Sequence, residues 1–224
     1  MVYDGKVEPG GPAATRVTTD LDITKVSVGP MDNNAYLLRD RSSGETLLID
    51  AANEPSRLLE LVNGKLDKVL TTHCHADHWL ALEEVVKQTG ATTYAAEPEI
   101  EQIPIPTDVA LLDGDEIQLG DTTLKIVWLT GHRASYLDHV STSAAVIYRD
   151  PDGSAHVFAG DCLFPGGIGN TCEDPAAFTE LLNDVSTKLF ADLPNETTVY
   201  PGHGGDTTLG TERLSLEQWG QRGW

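Results

Sequence analysis

Four runs of β-forming residues in this chain each stop on a side chain that can ligate a metal. His73 follows "KVLTT", His132 follows "KIVWLTG", Asp161 follows "HVFAG" and His203 follows "TVYPG". Loops at strand ends are where a rigid scaffold holds functional side chains, so the pattern asks for a fold that gathers these strand ends. Glycine stands just before three of them, at Gly131, Gly160 and Gly202, where it permits a sharp turn and close backbone approach.

The stretch "TTHCHADHW" carries the densest part of the pattern. It holds three of the chain's 7 histidines and an aspartate. His73 and His75, two apart, share a face only in extended backbone, so they can grip one metal from a strand end. Asp77 and His78 follow once the chain has turned and point at a second metal beside the first. Imidazole and carboxylate ligands suit zinc, iron or manganese. Asp161, with two oxygens, can bridge both ions, which makes it and Asp77 the candidate catalytic carboxylates.

Two close divalent ions hold a shared water and lower its pKa, so that hydroxide is available near neutral pH. That hydroxide can attack a carbonyl polarised by one ion while the other steadies the tetrahedral anion, and no serine or cysteine nucleophile is needed. Taken singly, His78 or His203 reads as a capping or core residue. The ordered set H-x-H-x-D-H, G-H, G-D and P-G-H reads as a metal centre. Cys74 and Cys162, beside ligands, read as small packing residues with extra metal ligation as the alternative, His156 reads as structural, and Tyr136 and Asp138 are candidates to line the pocket.

The remaining chain alternates strands with a few helices. "ITKVSVG", "NNAYLLRD" and "ETLLIDA" are strand-like, "SRLLELVNG" is a short helix, and "LDKVLTTH" is a strand running into the histidine cluster. Trp79, Leu82, Val85 and Val86 recur at helical spacing up to Gly90, and "TTYAAEP" is another strand. "DEIQLGDTTLKIVWLTGH" predicts a hairpin turning at Gly120–Asp121, and "STSAAVIYRD" with "AHVFAGD" a second pair around "DPDG". Asp174 caps a helix with Pro175 at its first position and Phe178, Leu181, Leu182, Val185 and Leu189 as its buried stripe. "ETTVYPGH" is a last strand and "ERLSLEQW" a closing helix. Residues 1–20 read as a loose leader to one domain spanning 1–224, an α/β architecture of face-to-face sheets with helices outside.

Composition narrows the partners. With 15 Lys and Arg against 35 Asp and Glu, the formal charge of −20 repels nucleic-acid phosphates and anionic lipid, so neither a nucleic-acid nor a membrane partner is expected. The N-terminus "MVYDGKVEPGGPAATR" has no apolar run of the kind signal peptides use, and 3 cysteines form no spaced framework. The cytoplasm is the expected location, and nothing in the sequence sets an oligomeric state.

The constellation resembles the metallo-β-lactamase superfamily, in particular its glyoxalase II-like branch. The resemblance runs from "NNAYLLRDRSSGETLLIDAA" to "YPGHGGDTTLGTERL", and "FAGDCLFPGGIGNT" is similar to the short, single-domain hydrolases of that branch. It implies a four-layer αββα sandwich of two mixed sheets with the metals at one edge. It also implies roles: His73, His75 and a later histidine on the first metal, Asp77, His78 and His203 on the second, and Asp161 between them. Family members read G-H-T-P-G-S after the middle strand, whereas "TGHRASYLDHVSTSAAVIY" offers both His132 and His139. Spacing from Gly120 selects His132, spacing back from Asp161 selects His139, and the "L-T-G-H" ending favours His132.

The resemblance implies hydrolysis of a small thioester or ester. Full-length glyoxalase II continues into a helical domain that grips glutathione, whereas 21 residues follow His203 here, so the thiol half of the substrate is left open. "FPGGIGNT" would supply a glycine-rich wall for an extended acyl chain. The alternatives are a mononuclear-iron persulfide dioxygenase, a lactonase and, outside the enzymes, a non-catalytic metal-stabilised module. A true β-lactamase is disfavoured, because those enzymes commonly carry cysteine where Asp161 stands.

Overall fold

In the computed structural model, residues 3–133 and 138–223 are described. The first half of the chain builds one sheet from β1 (Ala14–Val17), β2 (Leu21–Val28), β3 (Asn33–Asp40), β4 (Thr46–Ile49), β5 (Lys68–Thr71), β6 (Thr92–Ala96) and β7 (Val109–Leu111), in that spatial order. Neighbours are antiparallel as far as β4 and parallel from β4 to β7. The parallel steps require crossovers, and the helices α1 (Pro55–Val62) and α2 (Leu82–Thr89) supply the first two.

The second sheet is formed by β8 (Glu116–Leu119), β9 (Thr122–His132), β10 (Ser141–Arg149) and β11 (Ala155–Gly160), which meander antiparallel. A two-strand ladder, β12 (Leu163–Phe164) with β13 (Gly167–Ile168), and the helix α3 (Pro175–Asp184) lead to β14 (Thr198–Pro201), which pairs parallel with β11. β15 (Thr207–Thr208) closes that edge, followed by α4 (Leu209–Arg213) and α5 (Leu216–Arg222).

Period-two alternation sorts the apolar residues into three layers. Leu47 and Ile49 of β4 face the other sheet, and Leu48 faces the helices. Between the sheets, Leu38 and Leu70 share a core with Leu124, Ile126 and Val146, and the Tyr36 ring stands edge-on to Phe158 at 5.2 Å and to Tyr200 at 5.5 Å. Leu58 and Val62 of α1 and Leu82 and Val85 of α2 cover the outer face of the first sheet. Leu181 of α3, with Val185 and Leu189 of the π-helical turn that continues it, covers the second. Helices lie outside and two sheets inside, the four-layer sandwich that the resemblance implies.

Three local expectations change. Residues 1–20 are not all a loose leader: β1 pairs with β2 from Ala14↔Lys25 to Val17↔Asp22, and Tyr3 donates to Asp206 at 2.6 Å. A four-residue strand is too short to betray itself without its partner. The closing helix is two helices broken at Leu214 and Ser215. The helix expected from Trp79 begins at Leu82, because Ala76–His78 form a single tight turn and the Trp79 indole donates back to the Cys74 carbonyl at 2.7 Å. Among the described residues no helix is long and apolar enough to cross a membrane.

Candidate metal centre

β5, β9, β11 and β14 end at the same edge of the sandwich, and the side chains that follow them converge there. Beyond Thr71 the chain bends at His73 and Cys74 and is extended at His75 (φ −63, ψ 136), and His73 Nε2 lies 2.9 Å from His75 Nδ1. His132 at the end of β9 completes a group whose ligand atoms all lie within 4.8 Å of one another. The turn at Ala76–His78 then swings Asp77 and His78 toward His203, forming a second group of the same tightness. The Asp161 carboxylate lies between the groups. Its Oδ1 is 3.5 Å from His78 Nε2, and its Oδ2 is 3.5 Å from His132 Nε2 and 3.3 Å from His203 Nε2.

Each imidazole is aimed by a bond on its other nitrogen. His132 Nδ1 donates to the Asn170 carbonyl and His203 Nδ1 to the Met31 carbonyl, both at 2.8 Å, and His78 Nδ1 donates to Asp50 Oδ2 at 2.8 Å. Such bonds fix the ring orientation and leave each Nε2 facing the centre. Asp50 is itself held by the Thr72 backbone N–H at 2.7 Å and the Thr72 hydroxyl at 2.9 Å, in a left-handed backbone conformation (φ 60). Asn33 Nδ2 donates at 2.9 Å to Asp77 Oδ2, the oxygen that also lies 3.3 Å from His203 Nε2, and so holds that carboxylate in place.

The two groups differ electrically. Burial, reinforced by neighbouring imidazoles, holds His73 well below the usual histidine range and brings His75 down to about 3. Burial also lowers His132. Burial opposes charge on His78 and His203 too, but carboxylates outweigh it: Asp161 and Asp50 raise His78, and bonds to Asp161 and Asp77 lift His203 to about 10. Asp161 and Asp77 are held below the usual carboxylate range despite burial, by His78 and His203. One group presents neutral lone pairs, and the other balances its carboxylates with protons that a cation would replace.

The donor set fits a cation. His78 Nε2 and Asp161 Oδ1 are buried without a hydrogen-bond partner, and each such group costs about 1–3 kcal/mol if left so. Both face the same space. A Cβ on Gly202 would lie 2.1 Å from Asp161 Oδ1 and 2.8 Å from His78 Cε1, so only glycine leaves that space open. Gly202→Ala is therefore expected to displace Asp161 and His78 and weaken metal binding at the second group about tenfold or more, read as metal per chain after dialysis.

His139 stands outside both groups, 2.9 Å from Glu99 Oε1. Cys74 and Cys162 are buried thiols pushed up to about 12 by burial, and Cys162 packs against the Leu129 carbonyl. His156 bonds the Tyr200 hydroxyl at 3.0 Å, away from the centre. Asp138 is exposed, its carboxylate 3.8 Å from Arg133, and Tyr136 lies outside the described residues. Sequence reasoning missed Asp50 and Asn33. Asp50 had a signal, since it too follows a β-forming run, "TLLI".

Beside the centre lies a cavity of about 550 Å³ walled by the β12–β13 ladder, Gly169, Asn170 and Arg222. The Phe164 ring on its wall is 6.5 Å from the His203 ring, which places the glycine-rich stretch after Asp161 next to the candidate ligands.

The chain is similar to known proteins. The family model of the Metallo-beta-lactamase superfamily matches residues 28–203. A hydroxyacylglutathione hydrolase of Fuscovulum blasticum is 35% identical over 187 residues, 83% of this chain and 67% of that protein. The chain thus spans about two thirds of the length of that relative. The solved structure of TTHA1623 in a di-iron-bound form is 31% identical and covers 84% of this chain and 96% of its own, with a TM-score of 0.64. BLEG-1, a B3 metallo-beta-lactamase at 24% identity, shares the fold over 86% of this chain and 96% of its own, with a TM-score of 0.73. Two mixed sheets between helices, ligand-type side chains at their common edge and a family match across that whole region place this chain in the metallo-beta-lactamase superfamily.

Proposed function

We propose that the chain is a metal-dependent hydrolase of small thioesters or esters, with two divalent transition-metal ions at the edge of the sandwich. Zinc is the first choice of metal, and iron or manganese also suit the donors. The observation that carries the reading is the Asp161 carboxylate set between two ligand groups, with Oδ2 near both His132 and His203 and Oδ1 near His78. Ions in that cradle would polarise a carbonyl and lower the pKa of water.

The chain's own residues supply the rest. His73, His75 and His132 present lone pairs, and Asp77, turned by Asn33, and His78, turned by Asp50, form the second group with His203. The glycine-rich wall of the neighbouring cavity gives an acyl chain room to lie against backbone. A thioester suits the site because a thiolate leaves without a strong acid to protonate it. The name of the F. blasticum relative, hydroxyacylglutathione hydrolase, points to the same substrate class, and a di-iron form of a 31% identical protein supports a metal pair. The cytoplasm is the proposed location, with a small-molecule substrate and no nucleic-acid or membrane partner.

Protein purified without chelator is expected to carry close to two transition-metal ions per chain and to hydrolyse 2-hydroxyacyl thioesters. Metal analysis with a thioester panel, including glutathione and other small thiols, tests both. One iron per chain with O2 uptake on glutathione persulfide would replace this reading with the dioxygenase. Activity on lactones alone would leave the metal centre and remove the thioester.

A further inference from the structure

Glu99 is a carboxylate with no solvent exposure, and none of the chemistry above uses it. It lies in the helical turn Glu97–Gln102 after β6. One oxygen, Oε2, accepts from the Cys74 backbone N–H at 2.8 Å. The other, Oε1, accepts from the Thr142 backbone N–H at 2.8 Å and faces His139 Nε2 at 2.9 Å. A carboxylate only accepts, so His139 donates there.

The two backbone groups belong to segments that adjoin different sheets. Cys74 stands between His73 and His75, beyond the end of β5. Thr142 stands next to Ser141, where β10 begins. Ser141 Oγ is 3.2 Å from His75 Nε2, the nitrogen that faces away from His73. Glu99 thus grips the residue before His75 and the residue after the hydroxyl that touches His75. A ring held on one nitrogen presents the other, here Nδ1, in a fixed direction.

We propose that Glu99 is a positioning residue for the first metal group, and that His139, the second histidine after the middle strand, serves it as a hydrogen-bond donor and not as a ligand. The carboxylate locks Cys74 and Thr142 at one separation. Ser141 then meets His75, and His75 Nδ1 stays turned toward His73. This inference rests on the proposed metal centre but not on the substrate or reaction assigned to it.

The test is zinc titration of metal-free protein against a chromophoric chelator, with thermal melts of each metal-free variant. His132→Ala and His203→Ala identify which equivalent belongs to which group. Glu99→Gln, which places an N–H against a backbone or ring donor, is expected to weaken the first-group equivalent about tenfold or more while the second changes by less. Ser141→Ala, which leaves Glu99 in place, is expected to act in the same direction and covers the case in which Glu99→Gln fails to fold. His139→Gln keeps a donor for Glu99 and is expected to stay closer to the unsubstituted protein than His139→Ala. Equal weakening of both equivalents, or of neither, would make Glu99 a residue of the fold alone. Loss of an equivalent in His139→Ala with retention of both in His132→Ala would make His139 the ligand and overturn the proposal. Failure to bind zinc in the unsubstituted chain would instead overturn the metal centre itself.

Discussion

Asp161→Ala is expected to abolish thioester hydrolysis and to leave the purified chain with fewer metal ions. The side chain is buried, and its two oxygens face His78, His132 and His203 at 3.3 to 3.5 Å. Truncation removes the contact common to both ligand groups. It also leaves buried His78 and partly buried His203 without the carboxylate that most favours their charge, so each keeps less compensation. The loss should exceed the 10–100-fold typical of losing a partner behind a metal ligand. Asp161→Asn separates the effects, because it keeps the shape but removes the charge. Metal analysis and turnover on a 2-hydroxyacyl thioester check both variants. A variant that keeps two metals and full turnover would end the bridging assignment.

The second large effect is a staged loss of metal with acid. In the metal-free chain His203 titrates at about 10 and His78 is also raised, so at neutral pH metal uptake by their group must expel protons. Its affinity should then fall by about tenfold per pH unit for each proton expelled, from pH 10 downward. His75, at about 3, and His73 and His132, both lowered by burial, are neutral at pH 7 and have no proton to lose. The first group should hold its ion until far lower pH. Dialysis across pH 5 to 9 followed by metal analysis is expected to show two ions per chain falling to a plateau near one. Simultaneous loss of both ions would show that the groups titrate as one unit.

What the sequence revealed follows from how each residue announces itself. Alternation marked β2, β3 and β9 because a strand of eight or more residues repeats its pattern enough times to be seen. β1 and β15 repeat it once or twice, and only their partners make them strands. The histidine cluster was legible because four ligand-type side chains in six residues have few structural uses. Asn33 was not, and Asp50 was marked only by the strand-forming run before it, since a lone aspartate or asparagine beside a strand resembles any cap or turn residue. The contest between His132 and His139 lay beyond spacing arguments. Both follow the same strand, and what separates them is that one faces His73 across the sheet edge while the other faces Glu99.

The centre also joins the two halves of the chain. His73, His75, Asp77 and His78 come from the first sheet, and His132, Asp161 and His203 from the second. Nascent chains emerge at about 5–20 residues per second, N-terminal part first. A ribosome-bound first half therefore offers at most the four-residue cluster, with its aspartate and His78 lacking their counterparts. With the proposed ligands, neither ion would reach its full set until the sheets have docked and the region around His203 has been made. On that proposal metal capture would be a late event that reports completed assembly, and an interrupted or misdocked chain would be left without the ions that hold it together.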